Sequence, residues 1–360
     1  TKPFPRKLSE TGLFASTKDH TPAKGLIPYS VNAQLWSDGA EKERFLALSA
    51  DSQIEFDTVV YPHGPTYPDL GWRFPDGAVL VKTFSLNLKP GDPTSRRRLE
   101  TRLLQHRKMP GNDDEYGAQY WFGYRYLWND DQTHADLLGP AGLDREYVIQ
   151  DAKAPGGTRR QSWHFPSRAE CTLCHTMAAK YALGLTTLQM NKDHDYGGTI
   201  ANQLATLDHL KIFKQPLPKP PAELPRLVDY HDQSQDLHLR ARSYLHSNCA
   251  HCHRKWGGGN AEFELHASWP LTALKVVNTP PGQGAFNLAD PKIIAPGDPD
   301  RSLILHRMTL TTLGRMPHIA VNVPDQPAVD LLRSWLTELK DEKLLDRPGA
   351  INPRLPSEPK

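Results

Sequence analysis

The four cysteines carry the most specific chemistry in this sequence. They fall in two runs, Cys171-Thr172-Leu173-Cys174-His175 and Cys249-Ala250-His251-Cys252-His253, with none left over. Two residues between the thiols let one turn of chain offer both sulfurs to the vinyl groups of a single porphyrin. The next residue, His, then lies under the iron as proximal ligand. Cys-x-x-Cys-His is the attachment signature of c-type haem. The expectation is therefore two covalently bound haem c groups, held by Cys171, Cys174, Cys249 and Cys252, with His175 and His253 on the metals. Other uses of paired cysteines fit less well. A four-Cys zinc site needs both pairs but no His after each. A redox dithiol needs one pair and no His, and a disulfide inside Cys-x-x-Cys is strained.

A second axial ligand is expected for each iron. For the second motif it is Met316, in Gly314-Arg315-Met316-Pro317, because a neutral thioether suits the position and Met/His ligation raises the potential. Met308 reads as helix packing instead. For the first motif several candidates stay open. Met177 is too near His175 to swing round a porphyrin. Met190 is the other nearby methionine, and the histidines to weigh are His164, His194, His209, His231, His238 and His246. His246 precedes Cys249 by three residues, so it could reach across and couple the two centres. An open position would make this centre reactive.

The elements that must position these residues change character along the chain. Residues 1–160 contain no cysteine and alternate in the manner of strands: Ile54–Tyr61, Ala78–Leu86, Arg98–Leu104, Gln119–Trp128 and Glu146–Ile149. Turn residues separate them at the spacing of an antiparallel β-sandwich. Helical periodicity follows, over Thr199–Phe213, over Asp236–Asn248 and after an Asp325 cap. The expected fold is multidomain: an N-terminal antiparallel β-sandwich (1–160), two mainly α-helical cytochrome c-type haem domains (161–232 and 233–345) and a Pro-rich tail (346–360). Pro216–Pro225 reads as a stiff, extended linker.

Composition sets the remaining bounds. Hydrophobic residues are 38% and charged residues 23% of the 360, as in globular proteins, and no apolar run is long enough to span a membrane. A net charge of +2 gives no electrostatic case for nucleic acid or a membrane surface. The chain begins at Thr1, which reads as a mature chain after signal-peptide removal. Covalent haem attachment takes place outside the cytoplasm, so the expected location is periplasmic or secreted.

About 100 residues of the second haem region (233–345) resemble a class I cytochrome c domain: a helix with Tyr244 and Leu245, the second Cys-x-x-Cys-His, a Met316-Pro317 pair and a terminal helix with Trp335. More widely, the chain is similar to a family of bacterial di-haem c-type cytochromes known mainly from genomes. The segments that carry this likeness are Leu35–Ala40 (Leu-Trp-Ser-Asp-Gly-Ala), Leu80–Phe84, Phe165–Cys171, Leu183–Leu185 with Gln189, and Tyr244–His253. His318 departs from it, standing where similar chains often have a second proline. The resemblance implies a redox protein partner, such as a pyrroloquinoline-quinone-dependent (PQQ-dependent) sugar dehydrogenase, and electron transfer from a periplasmic oxidation. Two alternatives remain open on the sequence: a di-haem enzyme such as a peroxidase with one open haem site, and a carbohydrate- or polymer-binding haem protein using Tyr120–Trp128. The wide motif separation of the peroxidases weighs against the first. Alternating strand aromatics, more often core than ligand platform, weigh against the second.

Overall fold

The computed structural model describes residues 3–108, 120–319 and 321–351. Short hairpin elements open the chain: β1 (Phe14–Ser16) with β2 (Thr21–Pro22), then β3 (Ile27–Pro28). The long strands follow: β4 (Glu41–Ala47), β5 (Glu55–Val59), β6 (Gly71–Arg73), β7 (Val79–Asn87), β8 (Arg96–Arg107), β9 (Tyr120–Trp128) and β10 (Ala135–Leu137). Six of these form one antiparallel sheet in the order β10-β9-β8-β7-β4-β3. Its strands are rich in the branched and aromatic residues that fit a pleated surface.

Period-two alternation gives this sheet two different faces. On one, Phe45, Val81, Leu103 and Tyr126 join an apolar cluster with Leu8, Phe14 and Trp128. On the other, Leu46, Leu80 and Leu104 stand in register and pack toward Trp72, Phe74 and Trp121. Two residues further along the strands, the same face carries Arg44, Lys82, Arg102 and Arg125, each directly opposite the next across β4, β7, β8 and β9. A hairpin of β11 (Leu143–Gln150) and β12 (Thr158–Phe165) closes one end, setting Tyr147, Ile149, Trp163 and Phe165 on Phe84, Leu86 and Leu99.

Beyond β12 lie α1 (Arg168–Cys174), α2 (Thr187–Met190), the short pair β13 (Asp193–Asp195) and β14 (Ile200–Asn202), α3 (Gln203–His209), α4 (Leu237–Asn248), α5 (Leu303–Thr309) and α6 (Gln326–Glu338). Helices α4 and α6 share an apolar cluster containing Leu245, Leu332, Trp335 and Leu336. Asp325 caps α6 by accepting from the Ala328 amide.

This architecture corrects the expected fold class. Among the described residues strand outweighs helix, 26% to 22%, and the helix is divided among six segments. The chain is a β-rich fold and does not contain two mainly α-helical cytochrome domains. Nor is the N-terminal part a pair of matched sheets; it is one six-stranded sheet with two-stranded hairpins around it. The physical reason is local. The helical pattern of Thr199–Phe213 supports α3 over only Gln203–His209, because Asn202 caps it late and Lys211 turns left-handed at φ 58°. Between Arg254 and Ser302 the described backbone is turns and one-turn 3-10 segments, with prolines and glycines throughout. A boundary at residue 160 would also cut through β12, whose arginines and Gln161 hide its strand character.

Two connections are packed instead of free. In the Pro216–Pro225 segment, Leu224 is buried and Asn191 donates to the carbonyls of Pro221 and Leu224. In the expected tail, Ile351 and Arg226 exchange backbone hydrogen bonds and Ala350 is buried. Residues 352–360 lie outside the described residues.

Candidate functional site

Both cysteine motifs sit at the C-terminal end of a helix, the first within its last turn and the second just beyond it, and both close the same turn. Helix α1 starts at a capping box, in which Ser167 accepts from the Glu170 amide and Glu170 from that of Ser167. It ends at Cys174, and the His175 amide donates to the Cys171 carbonyl at 3.0 Å. Helix α4 is capped by Asp236 and ends just before Cys249; the His253 amide donates to the Cys249 carbonyl at 2.9 Å.

The first motif opens onto a cavity of ≈ 1520 Å³ including its mouth. Cys171, Cys174 and His175 line it together with Leu80, Lys82, Arg102 and Arg44 of the sheet. Gly123 in β9 makes the approach possible: a Cβ there would stand 2.8 Å from the Cys171 sulfur. The His175 Nδ1–H donates to the Tyr181 carbonyl, which fixes the tautomer and leaves Nε2 with its lone pair. Burial, followed by the charge of Lys82, holds the His175 ring down at about 4, so it is neutral at ordinary pH. Lys82 itself is pulled down to about 7, by burial first and then by Arg44 and Arg102.

The two motifs meet. The sulfurs of Cys174 and Cys252 and a ring nitrogen of His251 lie within 4.8 Å of one another. Gly258 allows this closeness, since a Cβ there would sit 3.0 Å from the Leu173 carbonyl. Arg254 straps the junction from behind. It donates to the Ala178 carbonyl at 3.0 Å and forms a buried ion pair with Asp69 at 2.9 Å. Burial would raise the Asp69 carboxyl, but Arg254, with His246 and Lys180, outweighs it and the net direction is down.

The second motif has different surroundings. His253 stacks on Phe263 with ring centres 4.6 Å apart, and its Nδ1 is buried without a hydrogen-bond partner. The Met316 loop runs nearby: the charges of Arg307 and His318 both reach His253. Arg307 holds this loop, donating to the Gly314 carbonyl at 2.7 Å and accepting through its own carbonyl from the Met316 amide at 3.0 Å.

The other candidates separate clearly. Met190 is buried in the apolar cluster with Leu185 and Leu204, away from the cavity wall, and Met308 is core of the α4–α6 cluster. His238 has both nitrogens engaged, by Trp335 and the Arg347 carbonyl. His194 contacts Ser30, and His209 and His231 are exposed. Only His164 and His246 of the six line the cavity. His164 is committed to Asp144 and Glu170. His246 Nδ1 accepts from the Ala267 amide at 3.3 Å, so its neutral ring carries the proton on Nε2 and offers a donor instead of a lone pair. His251, on the cavity wall although it belongs to the second motif, was not singled out by sequence reasoning; nor were Asp69, Arg254 or the cation row.

The residues fit a thioether-bound porphyrin at the first motif. A cavity with apolar and basic lining takes in both cysteines, and the adjacent imidazole, fixed through Nδ1, keeps the lone pair of Nε2. No family model, curated protein or solved structure matches the chain.

The segment Leu35–Ala40 owes its place to this site. The Trp36 amide donates to Asn248 at 2.6 Å and its indole to the Val323 carbonyl at 2.7 Å. Asp38 accepts from the amides of Asn322 and Val323. Gln189 bonds Ala33 on one side and Ser247 on the other. One strap therefore joins the sheet to both motif-bearing regions.

Proposed function

We propose that the chain is a di-haem c-type electron-transfer protein that works outside the cytoplasm. The observation that carries this reading is the meeting of the two Cys-x-x-Cys-His motifs at Cys174 and Cys252, beside a cavity that faces the first. Groups held by these two motifs would be kept close together, as sequential one-electron transfer requires. Cys171 and Cys174 would anchor one group and Cys249 and Cys252 the other, with His175 and His253 as proximal ligands and Met316 as the second ligand at the latter. Haem supplies the one-electron chemistry. The chain supplies orientation through the Tyr181 carbonyl on His175, water exclusion by the sheet, and a fixed distance between the motifs through Arg254. The donor would be a redox protein partner, such as a PQQ-dependent sugar dehydrogenase.

A second reading rests on the same junction. Two sulfurs and an imidazole nitrogen within 4.8 Å suit a soft or borderline ion such as copper(I) or zinc. One measurement separates the two. Protein from an export-competent host is denatured, weighed and treated with a thiol alkylator. Two retained haems and no alkylated cysteine are expected. Four alkylatable thiols and a stoichiometric metal would overturn the haem reading in favour of the metal site.

A further inference from the structure

The cation row on the sheet is not explained by the fold. Arg44, Lys82, Arg102 and Arg125 stand directly opposite one another on four adjacent strands and one face. Like charges in that arrangement repel and destabilise a sheet. Arg125 is settled: it donates to the carbonyls of Phe165, Gly139 and Ala141. Arg102 is settled by an ion pair with Glu100. Arg44 and Lys82 are not. The Arg44 side chain is buried and, among the described residues, donates only to the Lys42 carbonyl, at 3.3 Å. Lys82 has no carboxylate in reach among the described residues; its ammonium lies 5.7 Å from the Phe84 ring centre. Both line the cavity. The acids on the cavity wall are already engaged, Asp69 by Arg254 and Glu170 by Ser167 and His164. The wall thus presents two basic side chains, neither of them paired with a carboxylate among the described residues, to the cavity that the first motif lines.

We infer that Arg44 and Lys82 are a carboxylate-binding pair that receives the two propionates of the group carried by the first motif, and so raises its potential above what the same ligands would give elsewhere. The inference rests on the di-haem reading and adds a role for the N-terminal sheet: it is the electrostatic wall of the first site. Two cations match two carboxylates in number. The chemistry needed is an oxyanion, and it has two sources, the bound porphyrin or a free anion from solution. The apolar row of Leu46, Leu80 and Leu104 beside the cations favours the porphyrin, whose ring needs an apolar surface next to its acidic edge.

The test is an optical redox titration of the holoprotein, comparing wild type with Lys82→Gln, Arg44→Gln, Lys82→Arg and a remote control, Lys89→Gln. A cation near the metal favours the reduced form, so its removal lowers the potential. Each Gln variant is expected to shift the first wave downward by about a tenfold change in its equilibrium constant, about 59 mV for one electron. Lys82→Arg should restore the wave, and the second wave and the control should not move. Two haems by mass with an unmoved first wave, or with both waves moving together, would overturn the inference and leave the di-haem reading standing. Should Arg44→Gln fail to fold, the Lys82 pair decides alone. A wild-type spectrum that shifts on adding inorganic phosphate, with the shift lost in Lys82→Gln, assigns the pair to a free anion and overturns the propionate role. A mass without haem overturns both readings.

Discussion

In the first motif the His175 amide donates to the Cys171 carbonyl, and in the second the His253 amide donates to that of Cys249, at nearly equal distances. The chain therefore turns the same way twice. What surrounds the turns differs. His175 is tied through Nδ1 to the Tyr181 carbonyl and faces a cavity with a cationic wall. His253 has no partner for Nδ1 and lies flat against Phe263, beside the α4–α6 core. An anchored imidazole is a stronger and better-oriented ligand than an unanchored one. The motif dictates the turn, and the packed surroundings dictate what each site can do with it.

The largest expected effect breaks the junction that the two motifs share. Arg254→Met leaves Asp69 buried without its cation, which costs about 3–5 kcal/mol when a buried pair loses one partner. Denaturant unfolding should give a lower midpoint while remaining a single transition, since Arg254 contacts both motif regions. Two separate transitions, only one of them shifted, would mean that the sites are independent. The acid side offers a companion measurement. The Asp69 carboxyl is depressed in the folded chain, so its contribution is full above the ordinary carboxylate range and is lost as pH falls through the depressed value. Arg254→Met should flatten that acid limb of the stability profile.

A smaller change separates the sites. Gly123→Ala puts a methyl group 2.8 Å from the Cys171 sulfur, and overpacking of this kind costs about 1–3 kcal/mol. Under the di-haem reading the variant should lose attachment at the first motif and keep it at the second, giving a one-haem mass. Equal loss at both would erase the distinction drawn here.

The smallest effect tests the strap. Trp36→Phe removes the indole donor to the Val323 carbonyl, at about 1 kcal/mol. The variant should show faster hydrogen exchange around Val323 with little change near Tyr181. Equal loosening at both places would show that the strap holds the first site as firmly as the second.

Much of the strand pattern was legible from alternation: Ala78–Leu86 overlaps β7, Arg98–Leu104 falls within β8, Glu146–Ile149 within β11, and of Gln119–Trp128 all but Gln119, which lies outside the described residues, forms β9. The Asp236 and Asp325 caps were legible from side-chain type alone. β12 was not, because Arg159, Arg160, Gln161 and Ser162 mask its alternation. The cation row was not legible for a deeper reason. Arg44, Lys82 and Arg102 are ordinary strand charges one at a time, and become a site only when three registers are set together. His251 shows the same limit: its position inside the second motif says nothing about the cavity it faces. The helical haem domains were expected from the periodicity after residue 160 and, for the second, from resemblance, and the turn-rich stretch between Arg254 and Ser302 is where that expectation met its proline and glycine content.

The cavity is walled by residues from Tyr29 to Ile319, and the strap pairs Asp38 with Asn322. Chains are made N-terminus first, so the sheet and the first pair of cysteines emerge well before the residues that complete the enclosure. During that interval Cys171 and Cys174 stand on an open shelf with their charged backdrop already in place. Assembly order thus gives the first pair of cysteines a stage of greater access than the finished molecule offers, and the segment with Asn322 and Val323 is the last part of the strap to arrive.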